Sequence, residues 1–225
     1  MILPTGGGKS LVFQLPTMMM EGITIVVSPL IALMQDQVSA LKAQNINAEM
    51  ISSAQSYEEV DDIMYAAVNG DLKFLYLSPE RLNNGRTLDF LHNLHINFFV
   101  IDEAHCISQW GHEFRDDYRA LGSLKHNFPY TTIAAFTATS TDNVTDDILR
   151  ELQVTDPVVL KGKIFRKNLF ISAQRRIANG QAQLKNFLLR HVDESGIIYV
   201  SSRKKTEELS SFLNQSGYKS LPYHA

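Results

Sequence analysis

Short apolar, β-branched runs alternate along this chain with stretches whose apolar residues recur at helical spacing. Ile23-Thr24-Ile25-Val26-Val27 predicts a buried strand that stops at Ser28-Pro29. Leu30, Met34, Val38 and Leu41 then predict a helix. Ala48 to Ser52 reads as a short strand, Glu58 to Val68 as a helix, and Lys73 to Leu77 as a strand ended by Ser78-Pro79. Asn97 to Ile101 predicts a strand running straight into Asp102-Glu103, and Thr132 to Phe136 another. A helix follows with Val144, Ile148, Leu149 and Leu152 on one face. This alternation predicts an α/β fold with right-handed crossovers, a parallel sheet and helices on both of its faces. Ligands of such sheets bind at the carboxyl ends of the strands. The polar residues Ser28, Ser78, Asp102, Glu103, Thr137 and Thr139 stand at those ends.

Near Lys161 the pattern gives way to a basic, poorly periodic connector with one strand-like run, Leu169-Phe170-Ile171. Gln181 to His191 then predicts a helix and Gly196 to Val200 a buried strand. Arg203 to Leu213 predicts a second helix with Leu209, Phe212 and Leu213 inward, Ser202 as its N-cap and Gly217 as its stop. The expected organisation is a first domain over 1–160, a basic linker over 161–180 and the beginning of a second domain over 181–225. One such unit cannot cover both faces of a sheet, so the second domain is expected to be incomplete. The strand feeding the chain's start, Met1-Ile2-Leu3, is short as well.

Composition narrows the class. The chain has 225 residues, 44% of them hydrophobic, enough for a sizeable core. No run of about 18 apolar residues occurs, so no transmembrane helix is expected, and the N-terminus lacks a signal-peptide pattern. The single cysteine, Cys106, excludes an intrachain disulfide and a Cys-rich zinc site, and the reading is a reduced, cytoplasmic protein. The net charge of −3 conceals an asymmetry. Residues 1–160 hold 9 Lys and Arg against 20 Asp and Glu, a net of −11, whereas residues 161–225 hold 12 against 4, a net of +8. Lys161, Lys163, Arg166, Lys167, Arg175 and Arg176 form an acid-free stretch, which suits either a solvated face or a bound polyanion.

Two motifs carry candidate chemistry. Thr5-Gly6-Gly7-Gly8-Lys9-Ser10, opening an apolar helical run, fits the second half of a phosphate-binding loop; Leu3 replaces the first glycine of that pattern. Glycines let successive N–H groups turn inward towards phosphate oxygens, and the helix start adds positive potential. Lys9 can reach the outer phosphates and the Ser10 hydroxyl can ligate Mg²⁺. The competing reading is a glycine-rich turn before an ordinary helix. Downstream, Asp102 and Glu103 follow an apolar strand, where one carboxylate can hold a metal and its neighbour can orient and deprotonate an attacking water.

Together these features resemble the RecQ family of DNA helicases, within the DEAD/DEAH-type superfamily 2. Pro4 to Ser10 resembles motif I, Ser28 to Gln37 motif Ia, Tyr76 to Arg81 the Ib region, Asp102 to His105 motif II, Phe136 to Thr139 motif III and Gly196 to Arg203 motif IV. Cys106 to Arg115, containing Gln109, Trp110, Phe114 and Arg115, resembles the aromatic-rich loop that distinguishes RecQ proteins; such groups can stack on unpaired bases. The resemblance implies a RecA-like phosphate-loop domain plus the start of a second RecA-like domain. It implies ATP and Mg²⁺ as cofactors and single-stranded and partly duplex DNA as partner, with 3′-to-5′ translocation in DNA repair and recombination. Thr5 to Ser10 would bind ATP, and Ser10 and Asp102 the metal. Lys9, Asp102, Glu103 and His105 form the implied catalytic set, His105 as a coupling group and not the base. Ser28, Ser78, Gln109, Trp110, Phe114, Arg115, Thr137, Thr139 and Arg203 would serve coupling or DNA contact.

The resemblance also implies cytoplasmic location, with nucleoid association on DNA, and no membrane partner; single-stranded-DNA-binding or repair proteins are not readable from the residues. Departures are Asp116 and Lys167, each where the family pattern has Pro. The upstream glutamine motif and motifs V and VI are not in this sequence, so it is expected to be a piece of such a motor. The rival readings are a non-catalytic ATP- or DNA-binding module and a DEAD-box-like RNA helicase.

Overall fold

The computed structural model describes residues 1–82, 84–110, 114–163 and 168–224. These fold as two units, 1–168 and 169–225. Residues 161–163 belong with the first: Ile2 bridges Lys161, and the Gly162 amide donates to the Ile2 carbonyl at 2.8 Å.

The first unit is built on five parallel strands, β1 (Ile23–Val27), β2 (Ala48–Ile51), β3 (Phe74–Leu77), β4 (Ile96–Ile101) and β5 (Thr132–Ala135), in the order β2-β3-β1-β4-β5. Its helices are α1 (Lys9–Met19), α2 (Ile31–Ala43), α3 (Tyr57–Val68), α4 (Pro79–Leu82), α5 (Gly85–Leu91), α6 (Asp116–Arg119), α7 (Leu124–Asn127) and α8 (Asp142–Glu151). The period-2 alternation of strands divides the core into two layers. Ile23, Ile25 and Val27 join Val60 of α3, Leu91 of α5 and Val144 and Ile148 of α8. Val26 faces the opposite way, with Phe13 of α1 and Met34, Val38 and Leu41 of α2. Helices on both faces explain why the strands read as unbroken apolar runs rather than as alternating ones. Thr24 is the polar exception in β1. It is buried, and its hydroxyl pairs with that of Thr17 on α1 at 2.7 Å.

The second unit contains α9 (Gln181–Leu188) and α10 (Arg203–Gln215). Ser202 caps α10, its hydroxyl accepting from the Lys205 amide at 3.3 Å. Leu213 is buried, and Leu209 and Phe212 are half-buried. The expected strand Gly196–Val200 does not form: Ile197 is 81% and Tyr199 90% exposed. The run Leu169-Phe170-Ile171 is likewise exposed and irregular. The reason is pairing. The described residues of this unit contain no strand to accept the ladder hydrogen bonds, without which an apolar run gains nothing from extending. Arg166 and Lys167 of the basic stretch lie outside the described residues.

Candidate functional site

Strand register sets out the site. Leu77 of β3 lies opposite Val27, Val27 opposite Ile101, and Ile101 opposite Ala135. The residues that follow, Ser78, Ser28, Asp102 and Phe136, therefore emerge side by side at the carboxyl edge. Ile2 extends the row by bridging Thr137, with the Leu3 amide donating to the Thr137 carbonyl at 3.0 Å. The glycine loop is thereby tied to the end of β5 before it turns into α1.

In that loop the Gly7 amide donates to the Pro4 carbonyl at 2.8 Å, and a Cβ on Gly7 would lie 2.8 Å from the same oxygen. Gly8 takes a left-handed φ of 82° immediately before α1, a conformation that costs other residues about 1–2 kcal/mol. Thr5 to Gly8 are exposed. Among the described residues no side chain caps α1, whereas Ser56 caps α3 and Thr141 caps α8. The first-turn N–H groups of α1 remain available to an anion, with the helix dipole behind them.

Asp102 is only 7% exposed. Burial, reinforced by the neighbouring Glu103 charge, pushes its carboxyl above the ordinary range. The Glu103 amide, donating to Asp102 Oδ1 at 3.0 Å, the Lys9 charge and the Gln37 side chain oppose that shift. The glycine loop, tied to Thr137 after β5, and Asp102 after β4 thus lie along the same carboxyl edge of the sheet. Ser10 and Asp102 offer a hydroxyl and a carboxylate, hard oxygen donors that suit Mg²⁺; phosphate and water oxygens ordinarily complete such a shell.

Glu103 sits at a left-handed φ of 47°, unusual for a residue with a side chain. Its Oε2 lies 3.4 Å from His105 Nδ1, which is 3.0 Å from Thr137 Oγ1. Thr137 Oγ1 in turn donates to the Thr139 carbonyl at 3.0 Å. Glu103, His105, Thr137 and Thr139 thus form one polar chain between the ends of β4 and β5.

The aromatic-rich segment divides. Gln109 and Trp110 are exposed, Trp110 by 78%, whereas Phe114 and Arg115 are half-buried. Arg115 is drawn inward because its guanidinium donates to the Pro29 carbonyl at 3.1 Å. Gly111, His112 and Glu113 lie outside the described residues. Ser28 and Ser78 are buried, and the Ser28 hydroxyl has no hydrogen-bond partner among the described residues. Arg203 is exposed at the start of α10 in the second unit.

Two tyrosines escaped the sequence reading. Tyr118, fully buried, donates to the Asp102 carbonyl at 3.0 Å. Tyr76, fully buried in β3, donates to Gln37 Oε1 at 3.0 Å. The available signal was a tyrosine within an apolar run, since a buried phenol must find a partner for its hydroxyl.

Residues 1–147 match the model of the DEAD/DEAH box helicase family. The chain is 41% identical over 224 residues to the ATP-dependent DNA helicase RecQ of Pasteurella multocida, covering 100% of this chain and 35% of that protein. It is 38% identical over 226 residues to the RecQ helicase of Bacillus subtilis, covering 99% of this chain and 38% of that protein. The chain thus spans about a third of the length of these relatives. Among solved structures it resembles the DUF1998 helicase MrfA, with a TM-score of 0.67 and 17% identity over 96% of this chain and 35% of that one. The Mycobacterium smegmatis helicase Lhr, solved with single-stranded DNA and AMP-PNP, aligns with a TM-score of 0.62 at 19% identity over 96% of this chain and 32% of that one. These two likenesses establish the fold. No helix among the described residues is long and apolar enough to cross a membrane.

Proposed function

We infer the function from one premise: the chain belongs to the DEAD/DEAH box helicase family, among its RecQ members. The reading is an ATP-dependent DNA helicase that couples ATP hydrolysis to 3′-to-5′ movement along single-stranded DNA and to duplex unwinding, in repair and recombination. The single observation that carries it is the strand register that brings the glycine loop, tied to Thr137, and the buried Asp102 to one carboxyl edge of the sheet.

In this reading Gly6 to Gly8 and the uncapped start of α1 bind the phosphates, and Lys9 contacts the outermost ones. Ser10 and Asp102 would hold Mg²⁺, which would supply neutralisation of negative charge developing on the phosphates. Glu103 orients the attacking water and accepts its proton, held by His105. His105 passes the state of Glu103 to Thr137 and Thr139 through the contacts at 3.0 Å. Trp110, free of the core, stacks on an unpaired base, and Arg115 ties that segment to Pro29 of motif Ia. The reading is of an enzyme that works on DNA in the cytoplasm.

Steady-state ATP hydrolysis tests this, with and without single-stranded DNA, for the parent chain and Glu103→Gln. Loss of a positioned base costs about 10²–10⁴ in rate, so the parent should exceed the variant by at least about 10²-fold and respond to DNA. Equal rates with DNA added would leave only a binding module. Stimulation by RNA in preference to DNA would reassign the substrate.

A further inference from the structure

The peptide bond that joins Asp102 to Glu103 is held at both of its polar ends. Its N–H donates to Asp102 Oδ1 at 3.0 Å. Its carbonyl, that of Asp102, accepts from the Tyr118 hydroxyl at 3.0 Å. Beyond it, the Glu103 carbonyl accepts from the Cys106 amide at 2.9 Å. Between these holds Glu103 keeps its left-handed φ of 47°, which a residue with a side chain rarely adopts. Turning the peptide over would rotate ψ of Asp102 and φ of Glu103 together and return Glu103 to a negative φ. The same turn would take the N–H off the carboxylate and the carbonyl off Tyr118. Such a backbone persists only where its surroundings over-determine it, and these two hydrogen bonds oppose the turn.

Tyr118 is the fixed end of the arrangement. Its side chain is fully buried in the core that also holds Ile107 and Leu121, and it stands on α6, directly after the aromatic-rich segment. The base of that segment is closed by the Arg115 amide, which donates to the Cys106 carbonyl at 3.0 Å, and the Tyr118 amide donates to the Arg115 carbonyl at 3.0 Å. A buried phenol must give its one proton to an acceptor, and Tyr118 gives it to Asp102. We propose that Tyr118 is a positioning residue for hydrolysis: its hydroxyl fixes the plane of the Asp102–Glu103 peptide and so sets where the Glu103 carboxylate stands. It acts through Glu103 and is not itself a catalytic group. The role rests on the ATP-hydrolysis reading above, in which Glu103 accepts the water proton.

Tyr118→Phe keeps the ring and its packing and removes only the hydroxyl; a melting curve accompanies it. Two measurements on the full chain test the strut. The first is amide hydrogen exchange by NMR without nucleotide, read as the rate at Glu103 relative to the amides of β4. Loss of one hydrogen bond of ordinary net strength corresponds to roughly 2–10-fold, so the Glu103 amide should exchange faster than those of β4 by about that factor. Loosened packing alone would speed both together. The second is steady-state ATP hydrolysis. Misplacing a reacting group by about 1 Å costs up to about 10²-fold, so kcat should fall by at least roughly 10-fold, with KM for ATP unchanged. In a Glu103→Gln background Tyr118→Phe should slow hydrolysis no further, because the group it positions is gone. An unchanged exchange ratio overturns the strut. An unchanged kcat, or rate effects that multiply in the double variant, overturns the positioning role. A parent no faster than Glu103→Gln removes the ATPase reading and the positioning role with it; the exchange ratio needs no nucleotide and still decides whether Tyr118 holds the peptide.

Discussion

The hydroxyl pair between Thr17 and Thr24 fixes where α1 sits on the sheet, and with it Lys9 and Ser10. Both threonines are fully buried, and their oxygens lie 2.7 Å apart. Thr17 has one hydroxyl proton and gives it to the Phe13 carbonyl at 2.8 Å, so Thr24 must donate within the pair. The two single Val substitutions are therefore unequal. Thr17→Val removes the only acceptor that the described residues give the buried Thr24 proton, and an unsatisfied buried donor costs about 1–3 kcal/mol. Thr24→Val removes a donor but leaves the Thr17 bond to Phe13 intact, costing nearer the net worth of one hydrogen bond, about 0.5–1.5 kcal/mol. The double substitution replaces both polar groups by methyls of the same shape and should cost less than the two singles combined. Urea unfolding of the four proteins reads this directly. Near-additive losses, or Thr24→Val costing more than Thr17→Val, would refute the donor assignment.

Two further outcomes are expected. Asp102 binds its proton more tightly in the folded chain than in the unfolded one, because burial and Glu103 oppose its ionisation. Stability from this group is therefore fully present below the ordinary Asp value and is lost as pH rises from about 4 through the raised folded value. Asp102→Asn keeps an Oδ1 acceptor for the Glu103 amide and should raise the melting temperature at pH 7; a lower melting temperature there would contradict the electrostatic account. Trp110→Ala should leave stability within about 0.5 kcal/mol, since the ring is 78% exposed. The same variant should weaken single-stranded DNA binding by about 1–3 kcal/mol in a fluorescence titration, and equal affinity would remove the stacking assignment.

The sheet was legible because its strands are buried on both faces and so read as apolar runs separated by amphipathic ones. The candidate site was legible for a related reason: Ser28, Ser78, Asp102 and Thr137 each end such a run, and parallel register places run-ends together. Gly196–Val200 has the composition of a strand, but composition does not supply a neighbour, and the segment remains exposed. Arg115 reads as a solvent-facing cation and is instead tethered to a carbonyl 86 positions earlier in the chain. Tyr76 with Gln37 and Tyr118 with Asp102 were invisible for the same reason. Each tyrosine looks like ordinary core until the crossovers bring a partner to its hydroxyl. Local pattern reports which face a residue occupies, and long-range register decides what it meets there.

The central claim is that the glycine loop and Asp102 form one nucleotide site, and calorimetric titration of Mg·ATP tests it most directly. The parent chain should show saturable binding at a single site, and Lys9→Ala, folded by its melting curve, should show none. Equal Mg·ATP affinity in the parent and in Lys9→Ala would contradict it.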